Sequence, residues 1–228
     1  MAAAKGILKE EIHHDDRDRV RERMTTLNGK MEGEYHSYYG NGQILVKMYF
    51  KNGLKDGEAI SYYKDGQLRE KGAFRKDKPD GEYNCFYETG QVREIEYYQN
   101  GKLEGPYLLY YRNGQIKDSE HFKAGKFHGD YVSYYRNGQI KEKGSFKEDK
   151  RDGLYEAYFQ DGKIKERATY RDGKLVGKFL AFNPEGNVLS KKETNDDLPE
   201  AEDSEEIKDK EQSIDDLLSK LAKFGKED

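Results

Sequence analysis

The chain repeats itself every 24 residues without slippage over most of its length. A period of this size marks a repeat architecture. Each unit is one small module that buries its apolar face only against its neighbours. A glycine opens the units at 33, 57, 81, 105, 129, 153 and 177. A second glycine follows nine residues on, from Gly42 to Gly186, with Asn, Asp, Thr or Glu before it. Two residues after it stands an aliphatic: Ile44, Leu68, Val92, Ile116, Ile140, Ile164 or Val188. An aromatic comes six residues later in all but the last unit, as at Phe50, Phe122 and Phe146. Residues 20–32 match the second half of a preceding unit and read as a cap, with Thr26 at the aromatic place.

Counting the opening glycine as position 1, each unit carries two strand signals. Positions 2–7, as in Asp130–Tyr135, are rich in Tyr and Val, and the stretch Gln139–Phe146 mixes Ile, charge and Phe. Between them lies Asn-Gly or Asp-Gly, the strongest short hairpin signal, read here as a type I′ turn with positive φ. A second turn reads Asn52–Gly53, Asn100–Gly101, Ala124–Gly125 and Asp172–Gly173, with Asp77 or Asp149 replacing the glycine in two units. Asp tolerates left-handed backbone better than most residues, so those turns survive. The expectation is an all-β, elongated antiparallel array of hairpins, about two strands per unit.

Strands send alternate side chains to opposite faces. One face takes positions 3, 5 and 7, as in Tyr131, Ser133 and Tyr135, and position 6 sends its own ring to the other. Stacked units would build tyrosine ladders, in which cross-strand pairs contribute roughly 0.2–1 kcal/mol each. Exposed tyrosines also suit protein contacts, which makes Tyr107, Tyr111, Tyr131 and Tyr135 candidate partner-binding residues. Position 13 is basic in five units, at Arg69, Arg93, Lys117, Lys141 and Lys165, a candidate row for anions or lipid headgroups. An acid follows each of these at once and, by strand alternation, falls on the other face.

The pattern GxYxxYYxNGQIKxxxxFxxGKxxG over residues 20–190 resembles the MORN repeat. The resemblance is to the variant found in bacterial proteins described as antitoxins of toxin–antitoxin systems. It implies a β-hairpin array used for protein contact, with some relatives linked to phospholipid. The chain departs from the pattern by placing Tyr35, Tyr83, Phe179 and Ala59 where Trp often stands.

Composition narrows the rest. With 34% apolar residues, 38% charged and 19 Tyr, the chain cannot fill a thick aliphatic core, but it can bury tyrosine rings. The lone Cys85 leaves no internal disulfide. No apolar run has signal-peptide or membrane-span length, which leads to an expectation of a cytoplasmic protein. Residues 1–190 hold 34 bases against 31 acids, too little excess for strong nucleic-acid binding. Residues 191–212 form an acidic linker that composition marks as disordered. Within 213–225, Ile214, Leu217, Leu218, Leu221 and Phe224 make one stripe of an amphipathic helix, capped by Ser213. That helix is a candidate docking element for another protein or for the array itself.

Catalysis needs a few titratable groups converging on one pocket. His13 and His14 in the N-terminal segment 1–19 are adjacent, so they point apart, and His36, His121 and His128 occupy different repeat positions. Cys85 stands at the small fifth position, where the other units have Ser, Ala or Leu. Neither a nucleophile motif nor a phosphate loop is present. The sequence therefore predicts a non-enzymatic interaction scaffold without cofactor or metal, with a protein as partner. Self-association through open sheet edges and binding to anionic lipid are the further expectations.

Overall fold

The computed structural model of the protein describes residues 7–194. All its strands are antiparallel and belong to one open sheet, with 20 strands and no helix among the described residues. The pairing is a meander in which each strand joins its neighbour in the chain. Four strands are two-residue pieces, Lys78–Pro79, Lys102–Leu103, Lys126–Phe127 and Lys150–Arg151. Each is parted by one residue from the strand that begins at the next opening glycine. Counted without these pieces, the fourteen strands expected of seven units are present, with two more in front.

Those two extend the array towards the N-terminus. Leu8–His14 pairs with Val20–Leu27 in the register of every later hairpin. His13 faces Glu22 as Ser133 faces Glu142, and His14 faces Val20 as Tyr134 faces Ile140. Asp18 takes the place of the loop glycine with φ 57°. Residues 9–32 are thus a complete unit, where the sequence shows only the half-cap 20–32. The first half was hidden because it lacks both the glycines and the tyrosines.

The two turns differ in kind. The second turns among the described residues each have two consecutive residues at positive φ, such as Asn52 at 53° and Gly53 at 84°. That is the type I′ hairpin turn, whose twist matches the flanking strands. Lys76–Asp77 and Glu148–Asp149 adopt it as well. The Asn-Gly turn does not. Only Gly42, at φ 87°, is left-handed there, while the amide of Gly42 donates to the Tyr39 carbonyl at 3.0 Å and that of Tyr39 to the Gln43 carbonyl at 2.8 Å. This is a type I turn closed by a glycine bulge, which a longer loop requires. The Asn or Asp before the glycine is kept for its side chain. Asn41, Asp65, Asn113, Asn137 and Asp161 each accept the amide two residues on, at 3.0–3.2 Å.

A second bulge follows the first turn. Ser133 faces Glu142 and Tyr134 faces Ile140, so Lys141 is the extra residue. Position 13 holds the extra residue in the other units as well, including Arg21 and Leu189.

Buried residues are few and lie at repeated positions. Tyr131, Tyr155, Ala157 and Ala168 form the core cluster, against which Phe146, Tyr170, Leu175 and Phe179 pack. Leu108 is the most enclosed side chain. Ring pairs within units, such as Tyr35–Phe50 at 5.9 Å and Tyr131–Phe146 at 5.0 Å, join positions 3 and 18. These separations suit edge and tilted aromatic packing.

Candidate interaction surface

The side chain at position 3 reaches across to position 14 of the preceding unit, two residues along from the position 16 that it faces, and the two residue types are matched. The hydroxyl of Tyr35 donates to Glu22 at 2.8 Å, Tyr83 to Glu70 at 2.9 Å and Tyr155 to Glu142 at 3.0 Å. Tyr107 donates to Glu94 in the same way. Where position 3 is Ala59, position 14 of the preceding unit is the apolar Val46. Where the acid is the shorter Asp118, the hydroxyl of Tyr131 is buried without a hydrogen-bond partner, with the Arg151 guanidinium nearby. Burial first, and then the carboxylate beside it, pushes Tyr35 up to about 12. The same pair of causes raises Tyr83, Tyr107 and Tyr155.

Position 7 stitches each unit to the next. The hydroxyls of Tyr39, Tyr63, Tyr87, Tyr111 and Tyr135 each donate to the backbone carbonyl at position 6 of the following unit, at 2.6–2.8 Å. Position 7 lies past the end of its strand and belongs to the turn, not to the face of positions 3 and 5. Of the four tyrosines singled out from the sequence, Tyr107, Tyr111 and Tyr135 have their hydroxyls bonded within the array and Tyr131 is buried.

The basic row is paired as well. Arg69 lies 3.5 Å from Glu70, Arg93 3.4 Å from Glu94, Lys117 3.1 Å from Asp118 and Lys165 3.9 Å from Glu166. Strict alternation puts these acids on the opposite face, but the bulge at position 13 brings base and acid together. Only Lys141 of the five makes no such pair.

What varies from unit to unit is position 2 of the opposite face. It reads Glu34, Glu58, Glu82, Pro106, Asp130, Leu154 and Lys178, all exposed except Pro106. The first three units make an acidic stretch with aromatic neighbours. Tyr49 donates to Glu34 at 2.6 Å, Tyr97 donates to Glu82 at 3.0 Å, and Lys71 pairs with Glu58 at 3.3 Å. Burial, with the Glu82 carboxylate next, pushes Tyr97 up to about 12. Exposed apolar groups on this face include Tyr49 and Leu154. Sequence reading missed this set because it does not recur.

Residues 28–52, 55–76, 79–100, 103–124, 127–148 and 151–172 match the MORN repeat variant family, which covers more than half of the chain. The chain belongs to the MORN-repeat family. MORN repeats commonly serve as protein-interaction or membrane-binding modules. The family match leaves out residues 9–27, where Lys9 and Asp18 stand in place of the opening and loop glycines. No curated protein matches the chain. Similar solved structures include the TcdB2–TccC3–Cdc42 complex, at 13% identity and TM-score 0.15, covering 79% of this chain and 14% of that one. TcdB2–TccC3 has the same identity and score and covers 76% and 14%. A protein of unknown function from Bacteroides fragilis has 6% identity and TM-score 0.12, covering 83% and 94%. The chain thus spans 14% of the first two structures it resembles. Likenesses this low carry no argument about this protein.

Cys85 is buried, and desolvation first, then the nearby Glu94 carboxylate, pushes its thiol up to about 11. It fills the small position 5, as Ser61, Ser133 and Ala157 do. His13 lies 3.2 Å from Glu22 on the exposed first hairpin. The candidate helix with Ile214, Leu217, Leu218, Leu221 and Phe224 lies outside the described residues, as does most of the acidic linker. No helix among the described residues is long and apolar enough to cross a membrane.

Proposed function

We propose that this MORN-repeat protein is a non-enzymatic protein-interaction scaffold whose contact face carries Glu34, Glu58 and Glu82. The observation behind this reading is a division of labour among repeat positions. Positions that recur are engaged inside the array, as the tyrosine hydroxyls and glycine turns are. The exposed position 2 changes along the chain, from acidic in the first three units to Leu154 and Lys178 in the last two. A frame of identical modules with varying exposed side chains suits recognition of an extended partner. Its acidic, tyrosine-lined half favours a partner with a basic surface.

The amphipathic segment 213–225 supplies a second contact in this reading. Two contacts on one chain raise affinity through effective concentration. An antitoxin-like role is the special case in which the partner is a toxin. Attachment to anionic lipid through the basic row is the weaker reading, because four of its five bases already sit beside carboxylates.

Affinity capture from the native cytoplasm tests this with two full-length baits, the wild type and E34K/E58K/E82K. The scaffold reading expects a partner on the first bait that is lost from the second. A partner held equally by both removes the acidic face from the account. Binding to anionic vesicles that weakens with salt, with no protein captured, would favour the lipid reading.

A further inference from the structure

The two ends of the sheet are open, and they fit each other. Among the described residues, Leu8–His14 pairs only with Val20–Leu27, and Val188–Glu193 pairs only with Lys174–Phe182. Each leaves a row of backbone donors and acceptors without a strand partner, which templates further pairing. The register that joins one unit to the next is constant. Position 14 faces position 5 and position 15 faces position 4 at every junction, as in Glu22 with Ser37 and Arg23 with His36, and position 16 faces position 3 where the pairing runs further, as in Met24 with Tyr35 and Met48 with Ala59. Because residues 9–32 form a complete unit, the same register can run from the last strand of one molecule to the first strand of another. It would set Ser190 opposite His13, Lys191 opposite Ile12 and Lys192 opposite Glu11.

The side chains at that junction complement each other. Glu11 accepts a hydrogen bond from Thr26 and has no cationic partner among the described residues. Lys192 is exposed and has no acidic partner there. Opposite charges facing each other across antiparallel strands stabilise the pair, and like charges destabilise it. Two exposed apolar side chains also lie at the contact, Ile12 at 39% exposure opposite Lys191 and Leu189 at 69% next to Ser190. We propose that the array binds a second copy of itself head to tail, the edge strand Val188–Glu193 of one copy adding to Leu8–His14 of the next. Such a contact is heterologous and does not close on itself, so it extends to a third copy. It goes beyond the scaffold reading above and does not depend on it.

Sedimentation velocity and light scattering on the full-length protein test this with the variants E11K and K192E. The wild-type mass is expected to rise with concentration beyond that of a dimer. K192E, which puts Glu opposite Glu11, and E11K, which puts Lys opposite Lys192, should each lose the association. E11K/K192E should regain it. An equal mixture of the two single variants should associate beyond a dimer with the copies alternating, because the tail strand of each then meets an opposite charge on the head strand of the other. A wild type that stays monomeric into the millimolar range overturns the proposal. So does association unchanged in K192E, whose substitution sits on an exposed strand and leaves the fold intact. A mixture of single variants that fails to pair overturns it too, given circular dichroism showing both folded.

Discussion

At the residue scale the recurring unit of stabilisation is a tyrosine hydroxyl given to a carboxylate one strand away. Hydrogen bonds to charged groups contribute about 1.5–3 kcal/mol, and less where water competes. Tyr107→Phe removes one such donor and is expected to destabilise by about 1–2 kcal/mol, read from the shift of a urea midpoint. The opposite change tests the same logic. Asp118→Glu restores at position 14 the longer acid that the tyrosine hydroxyl meets in other units, where Tyr131 now lacks a partner, and is expected to stabilise by about 1 kcal/mol. A neutral or destabilising result would show that the length of the acid does not set the rung. The same tyrosines set the alkaline limit. Tyr35, Tyr97, Tyr131 and Tyr158 are each pushed up to about 12, burial acting first and a nearby carboxylate second. A pKa raised on folding favours the neutral ring, so its contribution is complete below the ordinary value of 10.0. It is lost as pH climbs from there towards about 12. Tyrosinate absorbance and circular dichroism followed together over that range should show ionisation and unfolding in step. Independent ionisation of a still-folded array would contradict it.

At the element scale the hairpin was legible and its chemistry only half so. The 24-residue period, the strands and the places of both turns stand in the residues themselves, because left-handed backbone selects Gly, Asn and Asp, but the type I′ geometry expected of the first turn belongs to the second. Three features did not show. The first turn uses Asn for its side-chain acceptor, which composition cannot tell from its use for positive φ. The bulge at position 13 adds a residue without changing the period, so it swaps the face of the acids unseen. The first unit keeps the register without the signature residues, since Asp18 at φ 57° stands in for glycine. The matched sizes of facing positions are also a tertiary fact. Gly72 sits at position 16 under the Tyr83 ring, and a Cβ there would come within 2.1 Å of it. Gly72→Ala must displace the ring from its Glu70 partner and is expected to cost about 1–3 kcal/mol. In the unit opened by Gly153, Ala168 occupies the equivalent place, buried and tolerated. Thermal unfolding of Gly72→Ala beside Ala168→Gly would separate an effect of this ring from a general preference at position 16. Equal and opposite small shifts would mean that the Tyr83 ring is not the cause.

At the scale of the whole molecule, the ladder determines how the array comes apart. Each unit touches only its neighbours, through a few strand pairs, one Tyr-to-carbonyl bond and the turn bonds that run along the edge. Stability in such an array is a sum of unit and interface terms rather than one core. The buried cluster of Tyr131, Tyr155, Ala157 and Ala168 lies towards the C-terminal end, while the units before residue 81 hold few buried apolar side chains. Leu108 is the most enclosed residue and stands between the two regions. Leu108→Ala is expected to cost about 2–5 kcal/mol, the range for emptying a buried aliphatic site. In a single cooperative core that loss would lower protection everywhere. In a ladder it weakens the joint at one unit, so the halves separate in their stability. Hydrogen exchange on the variant should show residues 129–182 keeping slow amides while those before residue 105 lose protection. Uniform loss along the whole array would mean that coupling between units exceeds their own stability and that the sheet unfolds as one body.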